Sequence, residues 1–365
     1  MSNSKINKLM ADLKGQYGDN TVMFAGDMPV RGKVSCGSLA LDFACGGGFP
    51  SDRVVEIAGE ESTGKSTLAV LAMTQVLDAN PDRGALVLDI EHKLSPEWLE
   101  FLVGPERMQR VIYSQPEHAE QATNVYKRAV KTGSVACVIF DSIGGAPTIR
   151  RNEDAEVASY GGNSIAITEF ARTAAVMSAK YDCLTMGINQ TRADVAGYHR
   201  LITPGGNGWK HACILRIQLV KGKGKVHEEI TGEKVQIGYT VVGKVIKNQQ
   251  AAPGRSATWW FFNIPTEKWG FGVDTREEIV RLGVLTKVFD VRGGWYYHNL
   301  LPADAKGEHK LQGYSRLSDY VREHPEIYPQ LRQEVLVRLD DVASEVAPIS
   351  DPEEPPVEDQ MLEAP

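Results

Sequence analysis

A chain of 365 residues, 42% hydrophobic and 24% charged, has the size and composition of a soluble globular protein with one large α/β domain and a smaller one. No run of about 18 apolar residues occurs, which excludes a spanning helix. The opening MSNSKINKLMADLKG lacks the continuous apolar core of a signal peptide, and a cytoplasmic protein is expected.

The net charge of −7 is uneven. Nine acids follow Arg338 with no Lys or Arg among them, leaving 38 acids against 40 basic residues in the body. Acidity therefore belongs to a proline-containing tail, expected to be disordered, and does not exclude a nucleic-acid partner. The five cysteines lack metal-ligand spacing and sit mostly in apolar runs, as reduced core residues do.

In chain order, Ile6, Leu9, Met10 and Leu13 share one face of a helix, and a short strand-like TVMF follows a Gly-Asp-Asn break. That helix either packs on its own core or is donated to a neighbouring copy. From Arg53 to Ile246 strands alternate with helices. Strands are expected at 53–58, 85–90, 110–113, 136–141 and 183–189, and the clearest helix at 164–180. Continuous apolar strands separated by helices predict a mostly parallel sheet covered on both faces. A strand-rich stretch from Ile214 to Phe262 follows, then a smaller α/β unit with GGWYYHN and a charged helix near 326–338.

Strand 53–58 runs into Gly59, Glu60, Glu61, Ser62, Thr63, Gly64, Lys65 and Ser66, with Thr67 opening the next helix. This is the complete G-x-x-x-x-G-K-[ST] phosphate loop in its strand–loop–helix context. The glycines let backbone N–H groups converge on phosphate. Lys65 reaches the β- and γ-phosphates, and the Ser66 hydroxyl ligates Mg²⁺, so a nucleoside triphosphate with Mg²⁺ is expected here. Asp141 ends an apolar strand, where a carboxylate can hold Mg²⁺ through water. Asp89 and Glu91 end a third strand, and from spacing alone either could activate the attacking water. A solvated loop acid is an equally ordinary reading of each. LITPGGNGWKHA, residues 201–212, is either an ordinary glycine-rich turn or a basic surface for nucleic acid.

GEESTGKST, DIEH, VIFDS, INQ, TPGGNGWKHA and KVIKNQQAAPG occur in that order, and together they resemble the bacterial RecA recombinase family over nearly the whole chain. Core drift from that family leaves a cellular and a phage-encoded member both open. The resemblance implies a P-loop NTPase core of RecA type at 33–265, with a twisted, mostly parallel sheet. An N-terminal helix-strand arm for polymerisation at 1–32, a small C-terminal α/β lobe at 266–338 and an acidic tail at 339–365 complete it. It implies a DNA-dependent ATPase that forms helical filaments on single-stranded DNA and exchanges strands with double-stranded DNA. Single-strand-binding and mediator proteins would be accessory partners, and DNA repair and the SOS response the setting.

Residue by residue, the resemblance selects Glu91 over Asp89 as the water activator. It makes Trp98 the ring that stacks on adenine and Gln190 the sensor of the γ-phosphate. Segments 154–163 and 191–208 become DNA-binding loops. Arg192, Gly205, Gly206, Asn207, Gly208 and Lys210 would then grip phosphates without reading sequence. Trp209 would stack on a base or pack inward, both being open. Lys247 matches the first of two family lysines that reach a neighbour's γ-phosphate. The second position is Gln249, a neutral amide that cannot neutralise transition-state charge. Glu60 replaces the family's usual proline, and Ser95 stands where an aspartate often contacts adenine. Lys310, Arg316, Arg322 and Arg332 could meet duplex DNA, or could simply be solvated. A strand-coating protein with a vestigial ATPase is the competing function, favoured by Gln249. A hexameric helicase with the same core is disfavoured by the AAP segment and the C-terminal lobe.

Overall fold

The computed structural model describes residues 3–18, 21–28, 32–149, 162–193 and 201–345. The acidic tail beyond 345 and the 154–161 part of the first expected DNA loop lie outside the described residues.

Residues 1–32 form a unit of their own. It holds α1 (Asn3–Tyr17) and a single 3₁₀ turn, Ala25–Asp27. Ile6 and Leu9 of α1 are exposed, while Met10 and Leu13 are half-buried. Residues 21–24 form no strand, contrary to expectation. A strand exists only as one rung of a ladder, and among the described residues of its own unit this short stretch has no hydrogen-bonded partner strand.

The second unit starts at Lys33 with β1 (Lys33–Val34), α2 (Leu39–Ala44) and β2 (Phe49–Pro50). The core alternates β3 (Val54–Gly59), α3 (Lys65–Ala79), β4 (Gly84–Asp89), α4 (Pro96–Val103), α5 (Pro105–Met108), β5 (Val111–Ser114), α6 (Ala119–Lys131) and β6 (Val135–Asp141). It continues through α7 (Gly162–Tyr181), β7 (Leu184–Gln190), β8 (Arg192–Ala193), β9 (Leu201–Ile202) and α8 (Gly206–Ala212). Then come β10 (Leu215–Ile230), β11 (Glu233–Asn248), β12 (Ser256–Phe262) and β13 (Gly272–Val273).

Nine of these strands make one sheet in the order β13-β12-β11-β10-β3-β7-β6-β4-β5. From β10 to β5 every pairing is parallel; β11, β12 and β13 add antiparallel. The apolar runs explain this directly. Side chains alternate across a sheet, so Val55, Ile57, Val87 and Ile139 enter one core layer, while Val54, Leu86, Leu88, Val138 and Phe140 enter the layer on the other face. Both faces being buried, each strand must be apolar throughout. All five cysteines are buried in these layers.

β10 and β11 are 16 residues each and close through Thr231 and Gly232, both at positive φ, as a two-residue hairpin turn requires. After β13 come α9 (Thr275–Leu285), a three-stranded antiparallel sheet of β14 (Asp290–Arg292), β15 (Trp295–Tyr297) and β16 (Lys310–Gln312), then α10 (Tyr314–Glu323) and α11 (Tyr328–Glu345). Leu282, Phe289, Leu317, Val321 and Val335 of this region belong to the same apolar layer as Val55 and Ile57, so its core is continuous with that of the sheet.

Candidate nucleotide and DNA site

The phosphate loop leaves β3 at Gly59 and ends where α3 begins at Lys65. Its glycines are required by contact as well as by turn geometry. A Cβ at Gly59 would lie 2.7 Å from the Leu219 carbonyl oxygen and 2.8 Å from Thr63 Oγ1. Gly64 has φ +85°, and a Cβ there would lie 2.9 Å from the Phe261 ring. Thr63 Oγ1 and Lys65 Nζ both donate to the Glu60 carbonyl, at 2.9 and 2.6 Å, and Tyr239 Oη donates to the Ser62 carbonyl at 2.8 Å. Burial lowers the Lys65 pKa, against the pull of Asp141 and Glu91.

Ser66, in the first turn of α3, donates to Asp141 Oδ2 at 2.9 Å. Burial pushes the Asp141 carboxyl up to about 6, the Ser66 hydrogen bond opposing and the Glu91 and Asp89 charges adding to the rise. A hydroxyl and a carboxylate oxygen beside a phosphate loop are the donor set that Mg²⁺ takes, so the residues present fit the ion.

The two acids at the end of β4 have separate environments. Asp89 is fully buried, and its Oδ2 accepts from the Leu94 backbone N–H at 3.0 Å and from Tyr113 Oη at 2.7 Å. It is a structural clamp for the turn after β4. Glu91 lies beyond the strand end, where its Oε1 accepts from Ser142 Oγ and, at 3.5 Å, from Gln190 Nε2, and its Oε2 pairs with Lys93 at 2.6 Å. Partial burial raises its carboxyl, but the hydrogen bonds from Lys93 and Ser142 and the Lys93 charge outweigh this and hold it below the usual range. It is therefore ionised at neutral pH, as a base must be. Gly145 makes room for it, since a Cβ there would sit 2.5 Å from Glu91 Oε1. Gly145 and Lys93 carry no motif signal, and Ser142, although it ends the VIFDS motif, was given no role from the sequence.

Gln190 is the last residue of β7, paired with Gly59, and the next N–H, that of Thr191, donates to the Gly59 carbonyl at 3.2 Å. The sheet thus puts the first residue of the 191–208 loop beside the phosphate loop. Trp98 is half-buried on α4, against the apolar layer. Ser95 is the N-cap of that helix, its Oγ accepting from the Trp98 N–H at 3.1 Å.

At the far end of the loop the structure corrects one expectation. Trp209 is fully buried: its indole lies on Gly187, stacks at 6.2 Å on Phe170 and donates Nε1–H to Glu56 Oε1 at 3.0 Å. It cannot stack on a base. An apolar residue on the inward face of a short helix packs against the sheet, and its neighbours in chain order do not reveal that face. Gly205 has φ +99° and touches Ile143; Gly208 lies against Thr168, a Cβ there falling 2.6 Å from Oγ1. These two glycines serve packing, while Asn207 is exposed and Gly206 and Lys210 are half-buried. The Arg192 side chain lies outside the described residues. Lys247 Nζ donates to the carbonyls of Lys210 and His211 at 2.9 and 3.2 Å, capping the end of α8. Gln249 is exposed.

Two of the four basic residues proposed for the C-terminal lobe are used internally. Lys310 is paired with Asp304 at 3.0 Å and with Glu308. Arg322 is buried, paired with Asp274 at 2.9 Å and stacked 4.0 Å over Trp269. Arg316 is exposed, and Arg332 is half-buried, lining a cavity together with Asp42, Arg255, Leu336 and Leu339.

The sequence model of the RecA N-terminal domain matches residues 4–263. The chain belongs to the RecA family. It is 30% identical to Protein RecA of Staphylococcus carnosus over 92% of this chain and 90% of that protein. It is 30% identical to Protein RecA of Acinetobacter baylyi, covering 91% and 92%, and 31% identical to Protein RecA of Thermus aquaticus, covering 90% and 93%. Recombination and repair, with DNA and ATP binding, are the business of this family, and the chain is a RecA-type recombinase. Among the described residues no helix is long and apolar enough to cross a membrane.

Proposed function

We propose that this member of the family is a DNA-dependent ATPase that forms helical filaments on single-stranded DNA and catalyses homologous pairing and strand exchange. The observation that carries the reading is the placement of Glu91, an ionised carboxylate beside the phosphate loop that meets the side chain opening the 191–208 loop. Nucleotide chemistry and a DNA-contacting loop then share one hydrogen bond.

In this reading Lys65 and the loop N–H groups hold the phosphates, and the Trp98 ring stacks on adenine. Glu91 takes the proton of the attacking water. Ser66 and Asp141 hold Mg²⁺, which supplies charge neutralisation when bound. Gly206, Asn207 and Lys210 meet the DNA backbone, which leaves base edges free to pair. Exposed Ile6 and Leu9 support packing of α1 on another copy of the chain. So does the edge strand β5, with exposed Ile112 and Tyr113, an open template for further pairing.

Exposed Gln249 favours a second reading, in which the protein mainly coats single strands and turns ATP over weakly. ATP hydrolysis with Mg²⁺, measured with and without single-stranded DNA, tests both. Strong DNA stimulation together with open helical filaments under the electron microscope supports the first. Filaments without stimulated hydrolysis support the second, and closed rings oppose both.

A further inference from the structure

Glu56 lies in the middle of β3, three residues before the phosphate loop, and is fully buried. A carboxylate there is costly unless its oxygens are filled. Three donors fill them. Asn189 Nδ2 donates to Oε1 at 2.8 Å, Trp209 Nε1 to Oε1 at 3.0 Å, and Arg216 Nε to Oε2.

The origin of those donors matters. Asn189 is the penultimate residue of β7, just before the 191–208 loop, and Trp209 immediately follows that loop, while Arg216 is the β10 rung opposite Glu56. Two of them reach further into the loop's return: Asn189 Nδ2 also donates to the Pro204 carbonyl at 2.9 Å, and Arg216 donates to Thr203 Oγ1 at 3.0 Å. Asn189 Oδ1 in turn accepts the Gln190 N–H at 3.0 Å. One buried carboxylate therefore organises the entry and the exit of the loop at once. An apolar set of similar volume would serve packing as well or better, so stability alone does not account for a charge here.

We propose that Glu56 is a positioning residue whose carboxylate, held by Asn189, Trp209 and Arg216, ties both ends of the 191–208 loop to the phosphate-loop strand, so that nucleotide state and DNA-loop state change together. The proposal rests on the reading of the loop as a DNA contact. Coupling between two ligand sites is a free energy of its own, separate from either affinity. It is measured as the ratio of affinities for a fluorescent oligothymidylate in the presence of Mg²⁺ with a slowly hydrolysed ATP analogue and with ADP.

Glu56→Gln removes the charge at nearly constant shape, and Trp209→Phe removes only the indole donor and part of the ring. Each is expected to shrink the wild-type ratio about tenfold. Analogue binding without DNA should stay within about twofold, because neither side chain touches the phosphate loop. A merely structural role would lower the melting temperature and leave the ratio in place. If Glu56→Gln does not fold, Trp209→Phe decides. A wild-type ratio retained by the folded variants overturns the proposal alone. A wild-type ratio of one would overturn the functional reading, and the proposal with it.

Discussion

The two acids at the end of β4 differ enough in surroundings to be separated by one pair of substitutions. Glu91→Gln removes a base and little else. Its ion pair is with Lys93, whose side chain is 67% exposed, and such pairs contribute at most about 1 kcal/mol to stability. DNA-stimulated ATP turnover should fall by about 10²–10⁴-fold, the usual contribution of a positioned general base, with ATP binding retained. Asp89→Asn should do the reverse. Oδ2 of Asp89 already satisfies Leu94 and Tyr113, while Oδ1 is buried with no hydrogen-bond partner. Keeping the amide oxygen on those donors puts a new NH₂ in that unpartnered place. Leaving a buried donor unmatched costs about 1–3 kcal/mol, so the variant should unfold at lower guanidinium and, once folded, turn ATP over within a few-fold of wild type. Steady-state hydrolysis and denaturant melts on the same preparations decide it. A folded Asp89→Asn protein that is inactive, beside an active Glu91→Gln protein, would refute the assignment.

Arg322→Ala should cost about 3–5 kcal/mol by leaving Asp274 buried and unpaired, read as a lower urea midpoint, while duplex affinity of the folded protein is unchanged; weaker duplex binding at an unchanged midpoint would restore Arg322 to a DNA surface. Glu278, which accepts from Ser38 Oγ and the Leu39 N–H, is held by burial at a pKa of about 8 against an ordinary 4.5. The folded state keeps a proton that the unfolded state releases near pH 4.5. Stability should therefore fall as pH rises from about 4.5 to 8, and Glu278→Gln should flatten that slope in denaturant melts at several pH values; an unaltered slope would show that another group carries it. Gln249→Lys should raise DNA-stimulated hydrolysis about tenfold if a second cation reaches a neighbour's phosphate, with no change in the absence of DNA; equal stimulation in both proteins would count against that reach.

The phosphate loop and the parallel core were legible in the sequence because their constraints are local. Gly59 and Gly64 are demanded by turn geometry and close contact, and a strand buried on both faces must be apolar from Val54 to Ala58, Glu56 excepted. Glu56 is that exception, and in sequence it looks like an ordinary strand acid. Only folding brings it Asn189, Trp209 and Arg216, at separations of 133, 153 and 160 residues. The same holds for Trp209, whose inward face is set by Gly187 and Phe170. It holds too for Arg322 and Lys310, whose charges are neutralised by acids that the fold places beside them. Asp89 and Glu91 are indistinguishable by spacing. What separates them is that β4 buries one against Tyr113 and releases the other toward Ser142 and Gln190. Residue types and short spacings determine where a phosphate can be held. Which charges remain available to a partner is decided by long-range packing, because burial and pairing are properties of neighbours that chain order does not contain.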